Sequence, residues 1–232
     1  MRGIFFDMDG VLLDSMPYHA EAMSQALQLE IDYELDKKWI FLLEGMPAEE
    51  FLKELFERNP PKTVVDKNMI AKIVNSKKKI FKEMENIVLI DGVKELLEEL
   101  NKTNCIKAIV SGSSRKEAQH IIEKKIGILN FDVVVTGDDV TKGKPDPQPF
   151  TTALKRTNLA REDVLIVENS PFGIMSANHA SIAYIVTLNS TPLTILDFSN
   201  FLPMPIKNEF NKHIFKDIRL AKGFILDWIR KA

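Results

Sequence analysis

The chain is poor in everything that would make it a disulfide scaffold, a redox protein or a polyanion binder. One of its 232 residues is cysteine, Cys105, so neither an internal disulfide nor a cysteine-built zinc centre can form, and a reducing compartment suits it. Its 31 Lys and Arg nearly cancel its 33 Asp and Glu, leaving a formal charge of -2. That balance removes the broad positive field that gathers nucleic acid or an anionic membrane, and neither is expected as a partner. No window holds the roughly 20 apolar residues of a membrane span. The run Ile4-Phe5-Phe6 is cut short by Asp7 before it could serve as a signal-peptide core. A cytoplasmic protein is expected. Internal repeats and low-complexity tracts are missing as well, and the 45% apolar content allows a sizeable buried core.

What is present is a rhythm of short apolar runs: Gly3 to Phe6, Cys105 to Val110, Phe131 to Val135, Val164 to Val167 and Ile182 to Thr187. Apolar residues on consecutive positions suit strands covered on both faces, and helical patterns separate the later runs, so a doubly wound parallel α/β sheet of Rossmann-like type is expected. Ser113-Ser114 can cap one such helix, continued by Ala118, Ile121 and Ile122, and Asp91-Gly92 opens another from Val93 to Leu100.

Nearly one hundred residues separate the first run from the second, and from Tyr18 onward that stretch reads helical. An inserted all-helical cap domain explains it, spanning residues 15–87, with the α/β core made of 1–14 and 88–232. Its helices fall at about Tyr18 to Leu29, Asp36 to Leu43, Pro47 to Arg58 and Val64 to Met84, broken at Gly45, Pro47, Pro60 and Pro61. Lys77-Lys78-Lys79 reads as a solvated helix face. From Asn189 to Phe210 proline and polar punctuation leave few periodic signals, and Ile218 to Ile229 reads as a closing amphipathic helix.

Chemistry-bearing residues sit where the strands should end. Asp7-Met8-Asp9-Gly10 follows the first strand, and ligands of open α/β sheets bind at carboxyl ends. Ser111-Gly112-Ser113 follows the second and offers a hydroxyl and backbone N–H groups to an anion. Lys144-Pro145 comes after the third, with the proline restricting the lysine's backbone, and Glu168-Asn169-Ser170 after the fourth supplies oxygen ligands for a hard cation. Each feature alone is ordinary; a capping Asp, a helix cap or a surface lysine would look the same. Their order on successive strand ends is what carries weight.

In that order the chain resembles the haloacid dehalogenase superfamily of phosphotransferases, in its branch of β-phosphoglucomutase-like phosphatases with a helical cap. The resemblance rests on Asp7-Met8-Asp9-Gly10-Val11 through Asp14-Ser15, on Ser111-Gly112, on Lys144-Pro145, and on Glu168-Asn169-Ser170 with Gly173, and it extends to Thr187. It implies that Asp7 attacks phosphorus and that Asp9 serves as acid and base. Mg2+ would be held by Asp7, the Asp9 carbonyl, Glu168 and Asn169. Ser111, the Gly112 N–H and Lys144 would bind phosphoryl oxygens, with Gly10, Ser113, His19 and Gly45 also bordering the substrate.

Two departures matter. The family often has Asp where this chain has Asn169, so weaker metal binding is expected. Counting Asp7, Glu168, Mg2+ and Lys144, with Asp9 protonated, leaves a site of charge +1 facing a phosphate dianion; one more carboxylate would cancel it. Where the sugar-phosphate mutases carry a phosphate-binding arginine three residues after the cap-loop glycine, this chain has Ala48. A Mg2+-dependent phosphatase acting on a small phosphate ester of sugar phosphate or phosphoglycolate type is expected, as a monomer or weak homodimer. A phosphosugar mutase and a catalytically silent regulator are the alternatives. A receiver-like signalling domain would be about half as long, and a dehalogenase would need neither Asp9 nor Mg2+.

Overall fold

The structure, a computed structural model, describes residues 1–84, 86–126, 131–209 and 213–231. Strand β1 (Gly3–Phe6) is followed by four helices, α1 (Met16–Ile31), α2 (Lys38–Leu42), α3 (Ala48–Arg58) and α4 (Lys67–Lys82). The chain then alternates through α5 (Val93–Asn101), β2 (Ile106–Val110), α6 (Arg115–Ile121), β3 (Val133–Val135), α7 (Gln148–Thr157), β4 (Val164–Glu168), α8 (Pro171–His179) and β5 (Ala183–Thr187). Two short helices, α9 (Ile195–Phe201) and α10 (Ile206–Glu209), precede β6 (Ile214–Phe215) and the closing α11 (Ile218–Arg230).

The strands form one parallel sheet in the order β3-β2-β1-β4-β5-β6. Alternation within β1 explains its unbroken apolar run: Ile4 and Phe6 join Leu96 and Leu100 of α5 and Ile225 of α11, while Phe5 joins Phe150 of α7 and Ala177 of α8. The strand order grows outward from β1 in both directions. A crevice therefore opens at the carboxyl ends of β1 and β4, where the winding reverses.

Helices α1 to α4 bury their own apolar stripes against each other through Met23, Leu27, Leu52 and Ile73. The chain enters and leaves this insertion side by side, since Asp14 N–H donates to Val88 O at 2.9 Å and Ile90 N–H to Leu12 O at 3.0 Å. Asp66 caps α4 by accepting from Met69 N–H at 2.8 Å. Along α4 the inward positions are Ile70, Ile73, Val74, Lys77 and Phe81. Lys78 and Lys79 are exposed as a solvated face requires, but Lys77 is 9% exposed and belongs to the buried stripe.

The weakly patterned stretch after β5 also packs. Thr194 and Asp197 form a capping box on α9, and Leu193, Phe198, Leu202 and Ile206 join the apolar cluster of the insertion. Pro203 and Pro205 break any helical period there. Phe210, the last residue of that stretch, lies outside the described residues. Strand β6 has two residues, too few to leave an apolar run in the sequence. Among the described residues no helix is long and apolar enough to cross a membrane.

Candidate active site

Asp7 leaves β1 with its N–H on Val167 O of β4 at 3.0 Å, which fixes its side chain over the crevice. One carboxylate oxygen, Oδ1, accepts from Lys144 Nζ; the other, Oδ2, is buried and has no hydrogen-bond partner among the described residues. Lys144 is 1% exposed. Its Nζ also donates to Glu168 Oε1 at 2.5 Å and to Val110 O at 3.2 Å, so one ammonium group ties the ends of β1, β2 and β4 together. The Lys144–Pro145 peptide is cis. Burial pushes the Asp7 carboxyl up, against the pull of Lys144 and with the help of Glu168 and Asp9. Burial likewise opposes the Lys144 charge, but Asp7 and Glu168 outweigh it and hold the lysine above its ordinary value.

Asp9 is surrounded by donors. Its Oδ1 accepts from Ser15 Oγ at 2.5 Å and lies 3.2 Å from His19 Nε2; its Oδ2 accepts from Ser113 Oγ at 3.1 Å and Ser111 Oγ at 3.4 Å. Burial pushes the Asp9 carboxyl up, yet His19, Ser15 and Lys77 together hold it below the usual carboxylate range. This corrects the charge count made from the sequence, which took Asp9 as protonated.

His19, on α1, stacks on Phe81 with ring centroids 4.1 Å apart, and its Nδ1 lies 3.0 Å from Lys77 Nζ. Burial and the neighbouring Lys77 charge lower its pKa, leaving a neutral ring whose Nδ1 accepts from Lys77 and whose Nε2–H donates to Asp9. Lys77 escaped the sequence reading because it sits in a run of three lysines. Its spacing from Ile70, Ile73, Val74 and Phe81 is the signal that could have found it.

Glu168 is fully buried, with Oε2 accepting from Asn169 N–H at 3.0 Å and Ser170 Oγ at 3.4 Å. Gly10, at φ +82°, makes room for the Asn169 side chain, since a Cβ there would lie 2.1 Å from Nδ2. Gly45, at φ +91°, brings the turn between α2 and α3 down on Lys144, where a Cβ would stand 2.5 Å from Cδ. Beside it lies Glu44, a carboxylate the charge count omitted. It is 8% exposed, and burial with the nearby Asp7, Glu168 and Asp9 charges holds its pKa well above the ordinary value.

These groups line or underlie a cavity of about 410 Å³ between the insertion and the sheet, bordered by Asp7, Asp9, His19, Gly45, Gly112 and Ser113. Lys53, Lys78 and Ala48 border it from the insertion side. Four buried carboxylates, Asp7, Asp9, Glu44 and Glu168, face two buried ammonium groups, Lys77 and Lys144. A divalent cation beside them would offset the burial that favours the protonated forms of Asp7 and Glu44. Among the described residues no three His, Cys, Asp or Glu side chains stand together as a metal-holding group. The bare oxygens are of mixed kind instead: Asp7 Oδ2, Glu44 Oε1 and the amide Asn169 Oδ1, all buried and without hydrogen-bond partners among the described residues. Hard oxygens of this sort fit Mg2+.

The doubly wound sheet thus carries two aspartates, a buried lysine and a buried glutamate at its switch point, where open α/β sheets bind their ligands. The profile of the haloacid dehalogenase-like hydrolase family matches residues 4–187, and the chain belongs to that family. It is 31% identical over 187 residues to a phosphorylated carbohydrates phosphatase of Thermotoga maritima, covering 78% of this chain and 82% of that protein. It is 27% identical over 184 residues to the beta-phosphoglucomutase of Bacillus subtilis, covering 78% and 80%. Its fold superposes on a crystal structure of beta-phosphoglucomutase from Clostridium difficile with a TM-score of 0.80 at 19% identity, covering 100% of this chain and 98% of that one. The chain is thus a phosphoric monoester hydrolase of the haloacid dehalogenase-like family.

Proposed function

We propose that the protein hydrolyses a small phosphate ester, of sugar phosphate or phosphoglycolate type, with Mg2+ and through an aspartyl-phosphate on Asp7, in the cytoplasm. The observation that carries this reading is Asp7 itself, which lines the cavity with one oxygen held by Lys144 and the other bare. Residues 15–87 act as a cap over a core of 1–14 and 88–232, and the protein works as a monomer or weak homodimer.

A carboxylate oxygen of Asp7 attacks phosphorus, and the bond to the ester oxygen breaks. Asp9 gives its proton to the leaving oxygen, then takes one from the water that attacks the phosphoryl group, releasing phosphate and restoring Asp7. Lys144 orients Asp7 and opposes the burial that favours its protonated form. The Lys77–His19–Asp9 chain supplies the route by which Asp9, ionised at rest, receives its proton. Ser111, Ser113 and the Gly112 N–H bind the remaining phosphoryl oxygens. Asp7, the Asp9 carbonyl, Glu168 and Asn169 would hold Mg2+, which when bound neutralises charge on the transferring group.

Phosphate release is to be measured over phosphoglycolate, hexose 6-phosphates and β-glucose 1-phosphate, with Mg2+ or EDTA. Release that needs Mg2+ and vanishes in Asp7→Ala is expected; silence across the panel at saturating Mg2+ contradicts the hydrolase. The mutase is the second reading, because Lys53 and Lys78 border the cavity on the side where a second phosphate would lie. It predicts that β-glucose 1-phosphate is isomerised once a bisphosphate primer is added. Ala48→Arg then tightens a bisphosphorylated sugar, and no gain means the α2–α3 turn faces a different part of the substrate.

A further inference from the structure

Among the described residues, Glu44 is the one buried acid at the cavity that the reaction above leaves without a task. It comes from the insertion, yet its hydrogen bonds go to the core. Its Oε2 accepts from Asn169 Nδ2 at 2.8 Å, and the same Nδ2 donates to the Asp9 carbonyl oxygen at 3.2 Å. One amide nitrogen is therefore shared by two oxygens, one from each side of the cleft. Two oxygens that converge on a single nitrogen are also two oxygens that can converge on a cation. An amide keeps its outline when turned by half a revolution, so Asn169 can present Oδ1 where Nδ2 now lies.

The acids differ in what they have left to offer. Both oxygens of Glu168 are engaged, Oε1 by Lys144 and Oε2 by Asn169 N–H and Ser170 Oγ. Glu44 Oε1, Asn169 Oδ1 and Asp7 Oδ2 are buried with no hydrogen bond among the described residues. A buried oxygen left in this state destabilises the fold, and a hard cation satisfies several at once. The turn that carries Glu44 is seated on the core, with Gly45 against Lys144 and Glu44 O 3.5 Å from Ser170 Oγ.

We propose that Glu44 is a carboxylate ligand of the divalent cation, supplied by the insertion in place of the acid that Asn169 lacks, so that binding the cation holds the insertion closed on the core. The proposal rests on the reading of the site as a divalent-cation phosphatase centre. It makes the insertion part of the metal site as well as the wall of the substrate pocket. It also predicts that the cation-free protein is the more open form.

The test is calorimetric titration of the metal-free full chain with Mg2+, no substrate present, on the wild type, Glu44→Gln, Asn169→Asp and the double variant. Circular dichroism and an unfolding midpoint establish that each is folded. Glu44→Gln should weaken Mg2+ binding by about ten- to a hundredfold, and Asn169→Asp added to it should recover most of the loss. Small-angle scattering should show Mg2+ contracting the wild type and not Glu44→Gln. If Glu44→Gln does not fold, Glu44→Asp, which withdraws the carboxylate by one methylene, is measured the same way with the same direction expected. Wild-type affinity in either folded variant overturns the ligand role of Glu44 and leaves the phosphatase reading standing. A wild type that binds no Mg2+ overturns both.

Discussion

Replacing Lys144 by Met removes the positive charge that pairs with both Asp7 and Glu168. The side chains of Lys144, Asp7 and Glu168 are 1%, 3% and 0% exposed, so water cannot take over the lost contact. Breaking a buried ion pair by removing one partner costs about 3–5 kcal/mol, because the remaining charge stays desolvated. For a protein of this size about 1 kcal/mol moves the unfolding midpoint by roughly 2–4 °C, so Lys144→Met should melt about 6–20 °C below the wild type in EDTA. Thermal unfolding followed by circular dichroism reads this directly. Mg2+ should return part of the loss, since a cation beside Asp7 supplies the missing positive charge, whereas the wild type should gain less from it. A Lys144→Met protein within about 1 kcal/mol of the wild type in EDTA would refute the claim that this lysine neutralises the buried acids.

Gly45→Ala should lower both stability and kcat/KM, because φ of +91° strains an alanine and its Cβ would stand 2.5 Å from Lys144 Cδ; the strain alone is about 1–2 kcal/mol, and unchanged values of both would show that the turn is free to shift. Asp197 on α9 accepts from Lys38 on α2 and from the Thr194 backbone, which lowers its pKa from 3.8 to about 2. A depressed carboxyl stabilises the folded state above its unfolded pKa, and that contribution disappears as the pH falls from about 4 towards 2. Wild-type stability should therefore fall more steeply than that of Asp197→Asn across this window, and parallel curves would contradict the assignment.

The sheet was legible because each buried strand leaves a short apolar run, and because parallel strands in a doubly wound order must gather their carboxyl ends. That is why Asp7, Asp9, Ser111, Lys144, Glu168 and Asn169 could be picked out together, and the structure brings them within a few hydrogen bonds of one another. Strand β6, paired with β5, left no trace, since two residues make no pattern. Lys77 was legible in principle, at a buried position of the α4 stripe, but two exposed lysines beside it disguised the spacing. Glu44 was not legible. It precedes a glycine in a turn after the five-residue α2, and no local pattern says that this turn lands on Lys144 and Ser170. Local sequence encodes helices and strands, whereas the seating of the insertion on the core is decided by contacts between residues far apart in the chain.

The most direct test of the account is to look for the phosphoryl group on Asp7. In Asp9→Asn the water that clears the intermediate lacks its base, while p-nitrophenyl phosphate or acetyl phosphate still loses its leaving group without protonation. After brief reaction with Mg2+ and an acid quench, mass spectrometry of the peptides should find one phosphoryl group on the peptide that contains Asp7, absent when EDTA replaces Mg2+. Phosphate release by the wild type with no such adduct in Asp9→Asn, or an adduct on any other residue, would contradict it.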